Sequence, residues 1–189
     1  AVGSLVVAIA LAVVGQVSLI GAVADLARAP GGCTTTLDVV EPGTYAVFVE
    51  SKGEWRGLAG DCPISEGRFR SRVSPDDVVV TALTTDGAEV AVLAADGDNY
   101  DTGDRAGQRI ASLVTTTSGR VQVTVTSPVE GTVVAVGIDP ADVAMPWRVA
   151  AAGVAIVGLI VGAVLIGLGL RRRLPAPASQ VAPWGPPQR

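Results

Sequence analysis

The stretch Val149 to Leu170 constrains this chain more than any other. It runs for 22 residues without a charge or a strong hydrogen-bonding side chain, follows Trp147 and Arg148, and stops at Arg171, Arg172 and Arg173. At about 1.5 Å per residue a helix of that length reaches roughly 33 Å, enough for a hydrocarbon core of about 30 Å. Residues 147–170 are therefore expected to form a transmembrane helix, with the lipid bilayer as a partner.

A second apolar run, Leu5 to Ile20 and on through Val23, lies near the other end. Residues 1–26 are expected to form a first transmembrane helix, because an apolar run of about 20 residues exceeds the 7 to 15 of a signal-peptide core. The alternative is a signal peptide, since Ala22-Val23-Ala24 has the small-x-small form of a cleavage site. Ala8 and Ala12 are small residues four apart, and Gln16 is available to hydrogen-bond a neighbouring helix where no water competes. The Pro30-Gly31-Gly32 before Cys33 lacks the leucine-led pattern that precedes a lipid-modified cysteine.

Between these runs the chain changes character. A mean hydropathy of +0.47 is high for a soluble chain, yet 12 prolines, 23 glycines and 17% charge argue against a bundle of many spans. Ala27 to Met145 holds 17 acidic and 9 basic residues, whereas Arg171 to Arg189 has four arginines and no acid. The positive-inside rule keeps that arginine cluster cytoplasmic. The central domain then lies outside the plasma membrane and the C-terminus inside. An acidic domain also argues against nucleic acid, whose binding requires cations on phosphates.

After a linker, 27–32, short β-prone runs alternate with turns. Thr35–Val40 and Thr44–Glu50 flank Glu41-Pro42-Gly43; Val78–Thr85 and Glu89–Ala95 flank Asp86-Gly87, the best hairpin signal. Arg109–Thr116, Arg120–Thr126 and Thr132–Ile138 complete seven. Val121, Val123 and Val125 alternate with polar residues as in a half-buried strand. Val78-Val79-Val80 and Val133 to Val136 are apolar at successive positions, the pattern of strands covered on both faces. The expectation for 33–146 is an all-β, antiparallel β-sandwich or jelly roll, flanked by the two transmembrane α-helices.

Cys33 and Cys62 both fall in the part placed outside the membrane, and are expected to form a disulfide that ties the start of the domain to the irregular 51–74 stretch. The chain has no histidine, so Ser-His-Asp and Cys-His catalysis and histidine-ligated metals are excluded. Carboxylate chemistry, as in glycoside hydrolysis, needs two acids converging in a cleft, and here the acids sit mainly in turns. No phosphate-binding loop occurs. The chain is expected to be non-enzymatic and to use no cofactor.

Asp96, Asp98, Asp101 and Asp104 form the one cluster with metal chemistry, as hard oxygen ligands for calcium. The loop departs from the EF-hand pattern, with Asp101 where the glycine belongs and Gly107 where the bidentate Glu belongs. A solvated loop and a protein-contact loop carrying Tyr100 are the competing readings. Gly158 and Gly162 form a G-x-x-x-G with Ala151 and Ala155 on nearly the same face, so that face is expected to pack on another helix, the first span being the ordinary partner. Beyond Arg173 the proline-rich tail, with its Pro183-Trp184-Gly185-Pro186, is expected to be disordered, 171–189 being basic and cytoplasmic.

The order of span, Glu41-Pro42-Gly43-Thr44-Tyr45, Val134-Ala135-Val136-Gly137, glycine-rich span, triple arginine and Pro-Trp-Gly-Pro tail resembles that of uncharacterised two-span envelope proteins of high-GC actinobacteria. The resemblance is one of layout and carries over no catalytic residue. It implies a partner that is another envelope membrane protein, with this chain as an accessory or scaffolding subunit. The alternative is a membrane-tethered sensor whose outer domain binds a ligand or calcium.

Overall fold

The computed structural model describes residues 2–54, 67–95 and 97–173. Two long apolar helices, α1 (Val2–Ala24) and α2 (Pro140–Arg173), flank a set of antiparallel strands. The strands are β1 (Ala27–Pro30), β2 (Thr34–Val39), β3 (Gly43–Glu54), β4 (Arg68–Arg70), β5 (Val79–Thr84), β6 (Ala91–Ala94), β7 (Asn99–Asp101), β8 (Ala106–Thr115), β9 (Gly119–Thr126) and β10 (Val133–Gly137). All seven strand-like runs of the sequence are strands, and β1, β4 and β7 are additions too short to show a period.

The larger sheet runs β1-β10-β3-β8-β6, with β4 on β3 and β7 on β8; the smaller runs β2-β9-β5. One apolar core joins them, drawing Val47, Val49, Leu113, Val134 and Val136 from the larger sheet and Leu37, Ala82, Val121, Val123 and Val125 from the smaller. The alternation in β9 works as read, with its valines buried and Gln122 exposed.

The far face of the larger sheet is covered too. Ala46, Phe48, Ala135 and Tyr100 pack there with Val23 and Leu26 from the end of α1. This is why β3 and β10 are apolar at successive positions: odd and even residues enter different cores. Val78–Val80 shares that pattern for another reason. Strand β5 is an edge of the smaller sheet and Val79 is 57% exposed.

Two boundaries and one strand pairing differ from expectation. The supposed linker at 27–32 contains β1, registered Ala27 to Val136 through Pro30 to Val133, so the sheet begins three residues after α1 ends. Helix α2 begins at Pro140 rather than 147, because Asp139 caps it: its Oδ1 accepts from the Ala141 amide at 2.9 Å, with Pro140 at the first helical position. The Asp86-Gly87 turn closes as expected, with Gly87 at φ +86° and its amide on Thr84 O, but its arms then part into different sheets.

Gly3–Ala24 and Pro140–Leu168 are long and apolar enough to cross a membrane by length and composition. They pack antiparallel. A Cβ on Gly15 would lie 3.2 Å from Trp147 Cβ, and one on Gly158 would lie 2.5 Å from Ser4 Cβ. Leu5, Ile9, Val13, Ile156, Leu159 and Ile160 stay exposed on the remaining faces.

Candidate functional site at the helix and sheet junction

The chemistry of this protein concentrates where the helices meet the larger sheet. Glu50 follows Ala46 and Phe48 in phase along β3, so its carboxylate points to the same covered face. Its side chain is wholly buried there, against an Arg28 side chain that is 2% exposed. Arg28 Nη2 reaches Glu50 Oε1 at 3.0 Å, and Nε reaches Oε2 at 3.1 Å. A buried charge of either sign is costly without such a partner.

The remaining guanidinium hydrogens go to the last carbonyls of α1 and to the turn that follows it. Nη2 donates to Val23 O at 2.7 Å, and Nη1 to Leu26 O at 2.7 Å and Ala24 O at 3.3 Å. The last carbonyls of a helix have no partner within it and carry its negative dipole end, so a cation satisfies them on both counts. Tyr100 closes the network by donating to Glu50 Oε1 at 2.7 Å, its ring 5.0 Å from that of Phe48 at 68°. Burial, and then the Glu50 carboxylate, push the Tyr100 phenol far above its usual value. The ring lies over Gly107, its partner in β8, where a Cβ would come within 2.6 Å of it.

Helix α2 is fixed by a pair of the opposite arrangement. Asp139, at the positive N-terminal end of α2, accepts from Arg109 Nη1 at 2.8 Å, while Arg109 Nη2 donates to Ser112 Oγ at 2.9 Å. Each helix end thus meets a charged group of the sign its dipole favours: the Arg28 cation at the end of α1 and the Asp139 carboxylate at the start of α2.

Two cavities lie beside this joint. One, of about 260 Å3, is lined by Gln16, Asp98, Tyr100, Asp101, Asp139 and Arg148 among others. Two of its three carboxylates are engaged. Asp139 holds Arg109, and Asp101 accepts from the Gly103 amide at 2.8 Å and pairs with Lys52 at 2.9 Å. The Gly103 amide first, and Lys52 after it, hold Asp101 below the usual carboxylate value. The other cavity, of about 500 Å3, lies between Ser18 to Leu26, β2 and the start of α2.

The residues singled out from the sequence scatter across this picture. Asp98 and Asp101 share the smaller cavity, Asp104 is exposed, and Asp96 lies outside the described residues. Among the described residues no three acids or cysteines are grouped to hold a metal ion. Gln16 is exposed and lines the smaller cavity, while Gly15 beside it meets α2. Gly158 is buried against Ser4 and Gly162 is half-buried. Cys33 directly precedes β2 and Cys62 lies outside the described residues, as do residues 174–189; Arg171 to Arg173 continue the backbone of α2.

Arg28, Glu50, Arg109 and Asp139 were not legible as a site. A faint signal existed for Glu50, an acid in phase with Ala46 and Phe48, and for Asp139-Pro140, a capping pair. Comparison with known proteins finds no matching family model, curated protein or solved structure.

Proposed function

We propose that this chain is a two-span membrane protein whose acidic β domain stands outside the cytoplasm and docks another envelope membrane protein, as an accessory or scaffolding subunit. The observation that carries this reading is the joint. Arg28, paired with Glu50, holds the last carbonyls of α1, and Arg109 holds Asp139 at the start of α2, so both apolar helices are tied to one sheet, which suits a domain that must present a fixed surface relative to the bilayer. The two sheets with their common core read as a sandwich, and Cys33 with Cys62 as the disulfide closing its irregular loop. The arginines after α2 set the C-terminus inside. Asp101 and Asp139 at the joint are engaged by cations and amides, which fits a binding role better than catalysis.

Lys52 is the one lysine in the chain, which gives a direct topology test. A membrane-impermeant amine reagent on intact cells should label wild type and lose the Lys52 signal in Lys52→Arg; labelling of Lys52 only after lysis would reverse the orientation. For the scaffolding role, crosslinking and native mass spectrometry of the intact protein from its own membrane should return a defined hetero-complex. A lone monomer at native expression would sink the reading.

A further inference from the structure

The larger cavity is a cleft into the end of the shared core. Its floor is Leu26, Leu37, Val39, Leu113 and Val136, all buried, and its outer wall is Val143 and the exposed Ile138. Ser18, Gly21 and Ala22, on the last turns of α1, form another side. Its volume, about 500 Å3, falls within the roughly 300–1,000 Å3 of small-molecule sites. Where α1 spans a bilayer, as proposed above, an apolar pocket beside its last turns is within reach of lipid acyl chains.

The rim carries the selectivity. Asp25 and Asp38 line the opening with no arginine or lysine among the lining residues. Asp38 pairs with Arg120 at 3.3 Å, both side chains largely in solvent. The Asp25 carboxylate has no cationic partner among the described residues. A headgroup seated there meets uncompensated negative charge, which repels anionic lipids and favours a cationic donor.

We propose that this cleft binds one bilayer lipid with a primary-amine headgroup: one acyl chain enters between the sheets and the ammonium donates to Asp25. The inference rests on the membrane reading above and adds a ligand to it. The ammonium selects over choline, because a quaternary nitrogen has no hydrogen to donate.

The test uses the full chain in detergent, with phosphatidylethanolamine, phosphatidylcholine and phosphatidylglycerol of identical acyl chains followed by native mass spectrometry. One phosphatidylethanolamine should stay bound, about tenfold in preference to phosphatidylglycerol. Gly21→Phe should displace it, since a Cβ at Gly21 meets nothing within 4 Å and the ring is free to enter the cleft. Asp25→Asn should erase the headgroup preference. Equal retention of all three lipids by wild type, or unaltered retention by a folded Gly21→Phe variant, overturns the site.

A phosphatidylethanolamine with a photoreactive acyl chain keeps the test independent of any variant. Crosslinks at 37–39 or 136–143 support the site, and crosslinks confined to the outward faces of the helices overturn it. Alkaline carbonate extraction separates the two readings: a chain released from membranes sinks both, whereas an integral chain without headgroup preference sinks only the lipid site.

Discussion

Glu50 and Arg28 form an ion pair at 3.0 Å from which water is almost wholly excluded, and the same arginine holds the carbonyls of Val23, Ala24 and Leu26 at the end of α1. One side chain thus settles two debts of burial, the carboxylate's charge and the helix's open C-terminus. That contact ties the end of α1 to the larger sheet.

Removing the acid leaves a buried guanidinium without a counter-charge. Glu50→Leu should therefore lower unfolding stability by about 3–5 kcal/mol. Arg28→Met in the Glu50→Leu background should recover only part of this, because the two helix carbonyls, Val23 O and Ala24 O, and the Leu26 carbonyl just beyond them then lose their donor. A double-mutant cycle by thermal unfolding in detergent measures both, and full recovery would contradict the capping role.

Tyr100 supplies a pH signature. Its folded-state pKa is raised by burial and by Glu50, so its contribution is complete below the ordinary phenol value of about 10 and is lost as pH rises above it. Between those limits the unfolded chain has released a proton that the folded chain retains. Stability should fall there by up to about 1.4 kcal/mol per pH unit for this one proton. Tyr100→Phe should be less stable at neutral pH and show a slope shallower by that amount. Parallel slopes would mean that the phenol is not the titrating group.

The helix seam can be tested with an internal control. A side chain at Gly158 strikes Ser4, whereas one at Gly153 meets nothing within 4 Å. Gly158→Leu should destabilise the helix pair by about 1–3 kcal/mol through overpacking, and Gly153→Leu should leave it within about 0.5 kcal/mol. Thermal unfolding in detergent, followed by tryptophan fluorescence from Trp147 beside Gly15, reports the difference.

Asp139 performs two tasks that separate by substitution. Asp139→Asn keeps a capping oxygen for the Ala141 amide but surrenders the charge facing Arg109; Asp139→Ala loses both. The alanine variant should be the less stable of the two by about 0.5–2 kcal/mol, the value of an N-cap. Equal losses would assign the whole effect to the ion pair.

Much of this architecture was legible because it repeats. The apolar runs of both helices announce themselves over some twenty residues, and the seven strands read from the sequence lie within β-prone runs of six residues or more, although β6 and β10 themselves span only four and five. Strands β1, β4 and β7, of three or four residues, exist only because a neighbour offers its edge. The start of α2 was missed because its first turns, Pro140 to Met145, carry an acid and stand before the apolar run. Reading Val78–Val80 as a covered strand failed since an apolar triplet looks the same at an edge as at a centre.

By itself, then, the sequence determined the apolar helices, the β character between them and the charge contrast of their flanks, all local or periodic properties. Tertiary structure decided which strand joins which sheet, that the larger sheet is covered on both faces, and that Arg28 finds Glu50 across 22 residues. Such partners are chosen by burial. An arginine beside a helix end reads as a solvated charge until folding removes the water, and only then must it take the acid and the carbonyls that lie within reach.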